Sequence, residues 1–309
     1  MGSVAQDTVL AALGQLCPGG VHPNEPLARH VTFRIGGPAD VLVLPRSLDH
    51  LVAAVAWAYR EGQPFVILGR GSNVLIADRG VRGVVIKTGR GQDEVRYHGG
   101  RVIAGCGASL PHLSRATATR GLAGLEFAAG IPGSVGGGVA MNAGAHGCSM
   151  AGVVRRARVL TPAGERTWSL DELRFHYRQS RLQQEPGVVL DAELELRETD
   201  PRACLARLEA WLRTRSDTQP LGPPSSGCIF RNPAGDHAGR LIDTSGGKGM
   251  RVGGATVSDR HANYILNTGD ATAADVLTLI AQVRAQVRDR SGIDLEPEVK
   301  LIGEFEPSG

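Results

Sequence analysis

Aromatic side chains are scarce, at 4% of 309 residues. A chain so poor in large rings builds its sites from turns and exposed backbone. Charge of one sign is also lacking. The formal net charge of +3 is small and, apart from local pairs such as Arg155–Arg156, the basic residues do not cluster, which excludes a nucleic-acid or anionic-membrane surface. No apolar run approaches the length of a membrane span. The N-terminal stretch has no basic flank followed by a long apolar core, so no secretory signal is expected. The five cysteines, Cys17, Cys106, Cys148, Cys204 and Cys228, are odd in number and show no metal-ligand spacing. That excludes a disulfide framework and a zinc site, and predicts a reducing, cytoplasmic compartment. No Ser/His/Asp order and no histidine cluster stands out, so no metal is expected.

Glycine, by contrast, is plentiful at 42 residues. It concentrates between Gly130 and Gly147, in the nearly uncharged run GIPGSVGGGVAMNAGAHG. Such a run cannot build a core; it lets backbone come close to something else. Pro132 stiffens its entry and Ser134 suits the cap of a short helix. Two readings stay open: N–H groups at that helix start receive a phosphate or another electron-rich group, or the glycines are spacers for a helix packed tightly on a sheet.

The length suits two or three domains. Residues 5–16 read as a helix with Val9, Leu10, Leu13 and Leu16 on one face. Val31, Phe33 and Ile35 alternate as an extended stretch. Val41–Leu44, Phe65–Leu68, Val74–Ile76 and Val84–Ile86 read as strands, with a helix capped by Ser47 among them. Together they predict a first α/β unit, residues 1–90. A hairpin about Gly99–Gly100, a helix over Ser109–Arg120 and strands at Val153–Leu160 and Val188–Leu196 predict a second, 91–199. Asp200-Pro201 opens a long amphipathic helix and with it a third unit, 200–309. This alternation indicates α/β or α+β.

Several short motifs carry chemistry. Gly69-Arg70-Gly71-Ser72-Asn73 follows a strand and forms either a backbone nest for a diphosphate or a plain turn. Gly246-Gly247-Lys248-Gly249 lacks the flanking residues of a phosphate loop and reads as a turn. Arg178, in Tyr177-Arg178-Gln179-Ser180, offers a fork for a carboxylate or phosphate, or an ordinary ion pair. Cys228 is a small apolar filler or a working thiol. Glu296 and Glu298 share one side if extended. His261 and Asn263 precede an apolar run and suit hydrogen bonding in a core.

In this order, Thr32 to Ala39, Leu68 to Leu75, Gly130 to Gly147, Tyr177 to Ser180, Gly227 to Pro233, Ala238 to Ile242 and Leu295 to Val299 resemble the UDP-N-acetylenolpyruvoylglucosamine reductase family, over residues 30–303. The resemblance implies an α+β chain: a vanillyl-alcohol-oxidase-type FAD-binding fold of two α/β subdomains, 1–90 and 91–199, and a C-terminal α+β substrate domain, 200–309. With no inserted segment in its last third, the chain is similar to the family's smaller subclass, which lacks a loop closing over substrate. The implied cofactors are FAD and NADPH, and the implied substrate is UDP-N-acetylglucosamine enolpyruvate, reduced to UDP-N-acetylmuramate for peptidoglycan. FAD would lie on Gly69, Arg70, Gly71, Ser72 and Asn73 and on Gly130, Ile131, Pro132, Gly133 and Ser134. The family pattern gives Arg178 and Glu298 the stabilisation of an enolate-like charge. It gives Cys228, standing where the family usually has serine, the final proton transfer. Tyr177, Asn232 and Asn263 would contact substrate or support those that do. The lysine often found before Gln-Pro-Leu is Thr218 here, and Arg215 or Arg231 could take over its phosphate contact. Two other classes fit less of the pattern: another FAD-dependent oxidoreductase of the superfamily, and a sugar-nucleotide binding protein without redox chemistry.

Overall fold

A computed structural model of the chain describes residues 3–305. The chain forms two compact units, and neither is continuous in sequence. The first runs through Pro23 and takes Val41–Arg70 and Gly83–Arg215; the second takes Asn24–Asp40, Gly71–Arg82 and the chain from Ser216 on. Helices and strands are mixed in both, as an α+β fold requires.

In the first unit, Phe65–Leu68 pairs in parallel with the strand Val81–Lys87, in register from Phe65 opposite Val84 to Leu68 opposite Lys87. Helix Leu48–Arg60 precedes them. Ser47 caps it by accepting from His50 N–H, and Leu51, Val55 and Ala58 are buried, as their spacing predicts. The parallel pair needs a long crossover, and the chain supplies it by leaving for the second unit between Gly71 and Arg82. Beside this lies an antiparallel sheet in the order Gly164–Ser169, Val154–Thr161, Val188–Glu195, Arg101–Gly105, Val95–His98. The hairpin about Gly99–Gly100 forms as expected. The edge strand of this sheet, Gly164–Ser169, escapes a pattern search because only Trp168 turns inward. The basic pair Arg155–Arg156 is neutralised across the sheet by Glu195 and Glu193.

The helix expected after Asp200 is Pro201–Thr218, and Asp200 Oδ1 accepts from Arg202 N–H at 2.9 Å. It buries Cys204 and Leu208 against Ala118 and Ala123. Through Arg215 it belongs to the first unit, so the break between units falls at the end of this helix.

The second unit is built on an antiparallel sheet of Arg251–Val252, Ala255–Val257 and Ile265–Asn267, with helices Ala238–Thr244 and Ala273–Ser291. Its core draws Phe33, Ile35 and Leu75 from the N-terminal half and packs them with Phe230, Ile242 and Leu279. Two expectations change here. Val31, Phe33 and Ile35 are all buried, yet they form no strand. A 3-10 turn, Leu27–His30, precedes them, and Arg34 breaks the run at φ +55°. Val74–Ile76 is a strand, but it belongs to no N-terminal α/β unit; it pairs in parallel with Lys300–Ile302.

Candidate functional site

The glycine-rich stretch does two different jobs in the first unit. Ser134 caps the six-residue helix Val135–Ala140, accepting from Gly137 N–H. The first N–H groups of this helix are already engaged. Val135 donates to Ala108 O at 2.8 Å and Gly136 to Cys106 O at 2.9 Å. The reading in which they wait for a phosphate is therefore corrected. Gly136 and Gly138 are the spacers of the other reading: a Cβ on Gly136 would stand 3.0 Å from Cys106 Cβ, and one on Gly138 3.0 Å from Leu110. Gly137, in contrast, is exposed. With Gly69, Thr88, Cys106, Gly136 and Ala140 it lines a cavity of about 230 Å³, whose far wall includes Val188 and Val189. A Cβ on Gly69 would come within 2.7 Å of the Ser134 hydroxyl. This slot is clear because both sides lack bulk, which suits a flat cofactor approached by backbone.

Two cationic residues, Lys87 through strand register and Arg70 through sequence, stand next to the Leu68–Gly69 end of the slot. Lys87 ends the strand beside Leu68, and its pKa is lowered by burial and then by Arg70. Cys106 has its thiol pushed up to about 12, mainly by burial and further by Asp191, so it stays protonated and inert. Lys87 and Thr88 carry no motif in the sequence. Only the register of a parallel strand pair brings them to Gly69.

Arg178 is held close to the far end of the same stretch. His176 and Gln179 exchange backbone hydrogen bonds of 3.0 Å, leaving Tyr177 and Arg178 as a turn. Ser180 Oγ donates to Ala140 O at 2.7 Å, and Asn142 Nδ2 donates to His176 O at 2.8 Å. Gln183 Nε2 donates to both Ala140 O and Arg178 O. The turn is thus laced to the last residues of the glycine-rich helix. The guanidinium carbon of Arg178 lies 5.5 Å from the Tyr177 ring centroid, and that ring is 56% exposed. Gly130, Ile131, Pro132 and Gly133 lead into Ser134 in this unit, and Gly69 and Arg70 end its preceding segment.

Gly71, Ser72 and Asn73 belong to the second unit. Gly71 must be glycine: its φ is +65° and a Cβ would meet His30 O at 2.8 Å. Asn73 Nδ2 donates to Glu298 O at 3.3 Å, and Lys300 N–H donates to Asn73 O. The Cys228–Phe230 segment lies between two others. On one side Ile229 N–H donates to Asn263 O at 2.9 Å; on the other Glu298 N–H donates to Ile229 O at 2.7 Å. Asn73, Cys228 and Glu298 are thereby brought onto neighbouring backbone. Cys228 is partly exposed and bonded to no other cysteine. Asn263 is 3% exposed. Its amide accepts from Phe230 N–H and donates to Phe230 O, so it acts by holding the Cys228 segment. Asn232 is exposed and caps helix Ala238–Thr244 through Ala238 N–H at 3.0 Å. Gly246–Gly249 is a turn, and its Lys248 pairs with Asp243. Among the described residues no acidic, histidine and cysteine cluster could hold a metal, and no helix is long and apolar enough to cross a membrane.

Residues 219–302 match the family model of the UDP-N-acetylenolpyruvoylglucosamine reductase C-terminal domain, and residues 39–169 match the FAD binding domain. A UDP-N-acetylenolpyruvoylglucosamine reductase of Bacillus licheniformis is 45% identical over 96% of this chain and 99% of its own. One of Heliobacterium modesticaldum is 47% identical over 91% of this chain and 90% of its own. The crystal structure of UDP-N-acetylenolpyruvylglucosamine reductase from Thermus caldophilus superposes with a TM-score of 0.80 at 36% identity, over 91% of this chain and 98% of that one.

Proposed function

Because this chain belongs to the UDP-N-acetylenolpyruvoylglucosamine reductase family, we propose that it reduces UDP-N-acetylglucosamine enolpyruvate to UDP-N-acetylmuramate, with NADPH as the electron source, in cytoplasmic peptidoglycan precursor synthesis. It is an FAD-dependent oxidoreductase. The observation that carries this reading is the near end-to-end match, joined to a bulk-free slot at Gly69 and Ser134 inside the segment that matches FAD binding domains. In this reading cofactor binding falls to the first unit, which ends at Arg215, and substrate binding chiefly to the second.

FAD, once bound and reduced by NADPH, would supply the hydride for the terminal carbon of the enol ether. The chain's residues hold and protonate what results. Gly69, Gly137 and Ser134 give the flat cofactor its slot, with Arg70 and Lys87 setting a positive field suited to its diphosphate. Hydride addition leaves negative charge delocalised into the substrate carboxylate. Arg178 meets it with a permanent charge on a turn fixed before substrate arrives, so little reorganisation is needed. Glu298 assists in stabilising that charge. The Cys228 thiol gives the proton to the carbon bearing the carboxylate, and a thiol is a stronger acid than the serine hydroxyl it replaces. Asn263 fixes the backbone that presents this thiol. Tyr177 and Asn232 contact the sugar nucleotide.

Stopped-flow kinetics separate these roles. In Cys228→Ala, NADPH should bleach the flavin at the wild-type rate, while substrate should reoxidise it far more slowly; Cys228→Ser should restore most of the loss. Wild-type reoxidation in Cys228→Ala would remove Cys228 from the reaction.

A further inference from the structure

The helix Pro201–Thr218 falls between the two family matches, which end at residue 169 and resume at 219. One stripe of it nevertheless faces the glycine-rich stretch. Arg207, Trp211 and Arg215 are four residues apart, hence one above another on a helix face. Arg207 pairs at 2.9 Å with Glu126, a carboxylate 2% exposed that also accepts from Gly124 N–H. Trp211 stacks flat on His146, with ring centroids 5.0 Å apart and planes 2° from parallel. Arg215 lies along Gly130; a Cβ there would be 2.7 Å from Arg215 Cδ and 3.5 Å from its Nε. The stripe thus grips the stretch at both ends, Gly130 and His146.

The two arginines differ in one respect. Arg207 has its carboxylate, whereas no acidic side chain among the described residues pairs with the half-buried Arg215. Its field is felt locally: burial first, and then Arg215, lowers the pKa of His146. Gly130 has no side chain and leaves the guanidinium room at the start of the cradle.

We propose that Arg215 is a cofactor-contact residue, its guanidinium binding the FAD diphosphate, and that the Pro201–Thr218 helix is the third wall of the flavin site. The inference rests on the first unit binding FAD. A guanidinium offers a diphosphate paired N–H donors and a charge that is never lost. The fork is held by Gly130 on one side and, one turn back, by the Trp211–His146 stack.

The test measures FAD affinity by recovery of flavin fluorescence on deflavinated and reconstituted full-length protein. Arg215→Met keeps the stem and removes the charge. It should raise the FAD dissociation constant about tenfold or more, the scale of one charge-assisted contact, and flatten the salt dependence of binding. Arg215→Lys, which keeps the charge and loses the paired donors, should recover only part of the affinity. Gly130→Ala, which displaces the guanidinium while keeping it, should weaken FAD and leave the circular dichroism unchanged. Wild-type affinity and salt dependence in Arg215→Met would overturn the inference. So would a raised KM for the sugar nucleotide with FAD affinity unchanged, because the charge would then serve the substrate diphosphate. A wild-type protein that never takes up FAD would instead sink the reading of the unit itself.

Discussion

Arg178 occupies the third position of its turn at φ +57°, where glycine or asparagine sits without strain. An arginine held there costs backbone energy, and the guanidinium it delivers is the compensation. The mutation Arg178→Gly should therefore split two quantities. Turnover should drop by several orders of magnitude, while stability in urea should hold or rise by up to about 1 kcal/mol; equal loss of both would mean the side chain is a structural anchor. Gly69→Ala should behave differently. Its Cβ collides with the Ser134 hydroxyl at 2.7 Å, so FAD affinity should fall while the circular dichroism stays that of the wild type. Both residues stand in legible motifs. Thr88, which lines the slot, and Lys87, which precedes it on the strand, do not. A lysine and a threonine at a strand end mean nothing until the partner strand's register is known.

At the scale of elements, caps were the most legible feature. Ser47 and Ser134 both cap helices as their local sequence demands, because a cap depends on residues three or four apart. Ser47→Ala should cost about 1 kcal/mol in equilibrium unfolding. The alternation at Val31, Phe33 and Ile35 misled for the complementary reason: it reports burial, and a strand needs a partner as well. The stripe Arg207, Trp211, Arg215 was hidden because its partners lie far away in sequence, at Glu126, His146 and Gly130. A pH effect belongs to this scale too. His261 packs edge-on against Tyr264, its Nδ1 accepts from Asn263 N–H, and burial lowers its pKa from the ordinary 6.5. The unfolded chain therefore takes up this proton first as pH falls. The stabilisation is whole above 6.5 and is lost as pH drops through that value towards the lower folded one. Urea titrations between about pH 7.5 and 5 should show this slope, and His261→Gln should flatten it.

For the whole molecule, ligand and connectivity set the behaviour. Free FAD at one hundred times its dissociation constant should stabilise the protein by about 2.7 kcal/mol, readable as a raised melting temperature of the reconstituted enzyme. Residues 219–309 expressed alone should fail to fold, although they include the whole C-terminal family match. That piece lacks Phe33, Ile35 and Leu75, which are fully buried or nearly so in its core, and truncating one such large side chain already costs about 2–5 kcal/mol. A dispersed amide spectrum from the fragment would refute this.

The same interleaving sets a timetable on the ribosome. Residues 24–40 and 71–82 emerge early, carrying apolar side chains whose partners are not yet made. Val74–Ile76 must wait for Lys300–Ile302 before its ladder can close. The first unit has all its segments once Arg215 is out, and the second gains its last strand only at Ile302. The nascent chain therefore carries a folded flavin-binding half beside unsatisfied apolar segments for the time it takes to add some eighty to ninety residues, about 4–20 s at bacterial speeds of synthesis. In that interval, holdase chaperones would find their target on segments 24–40 and 71–82.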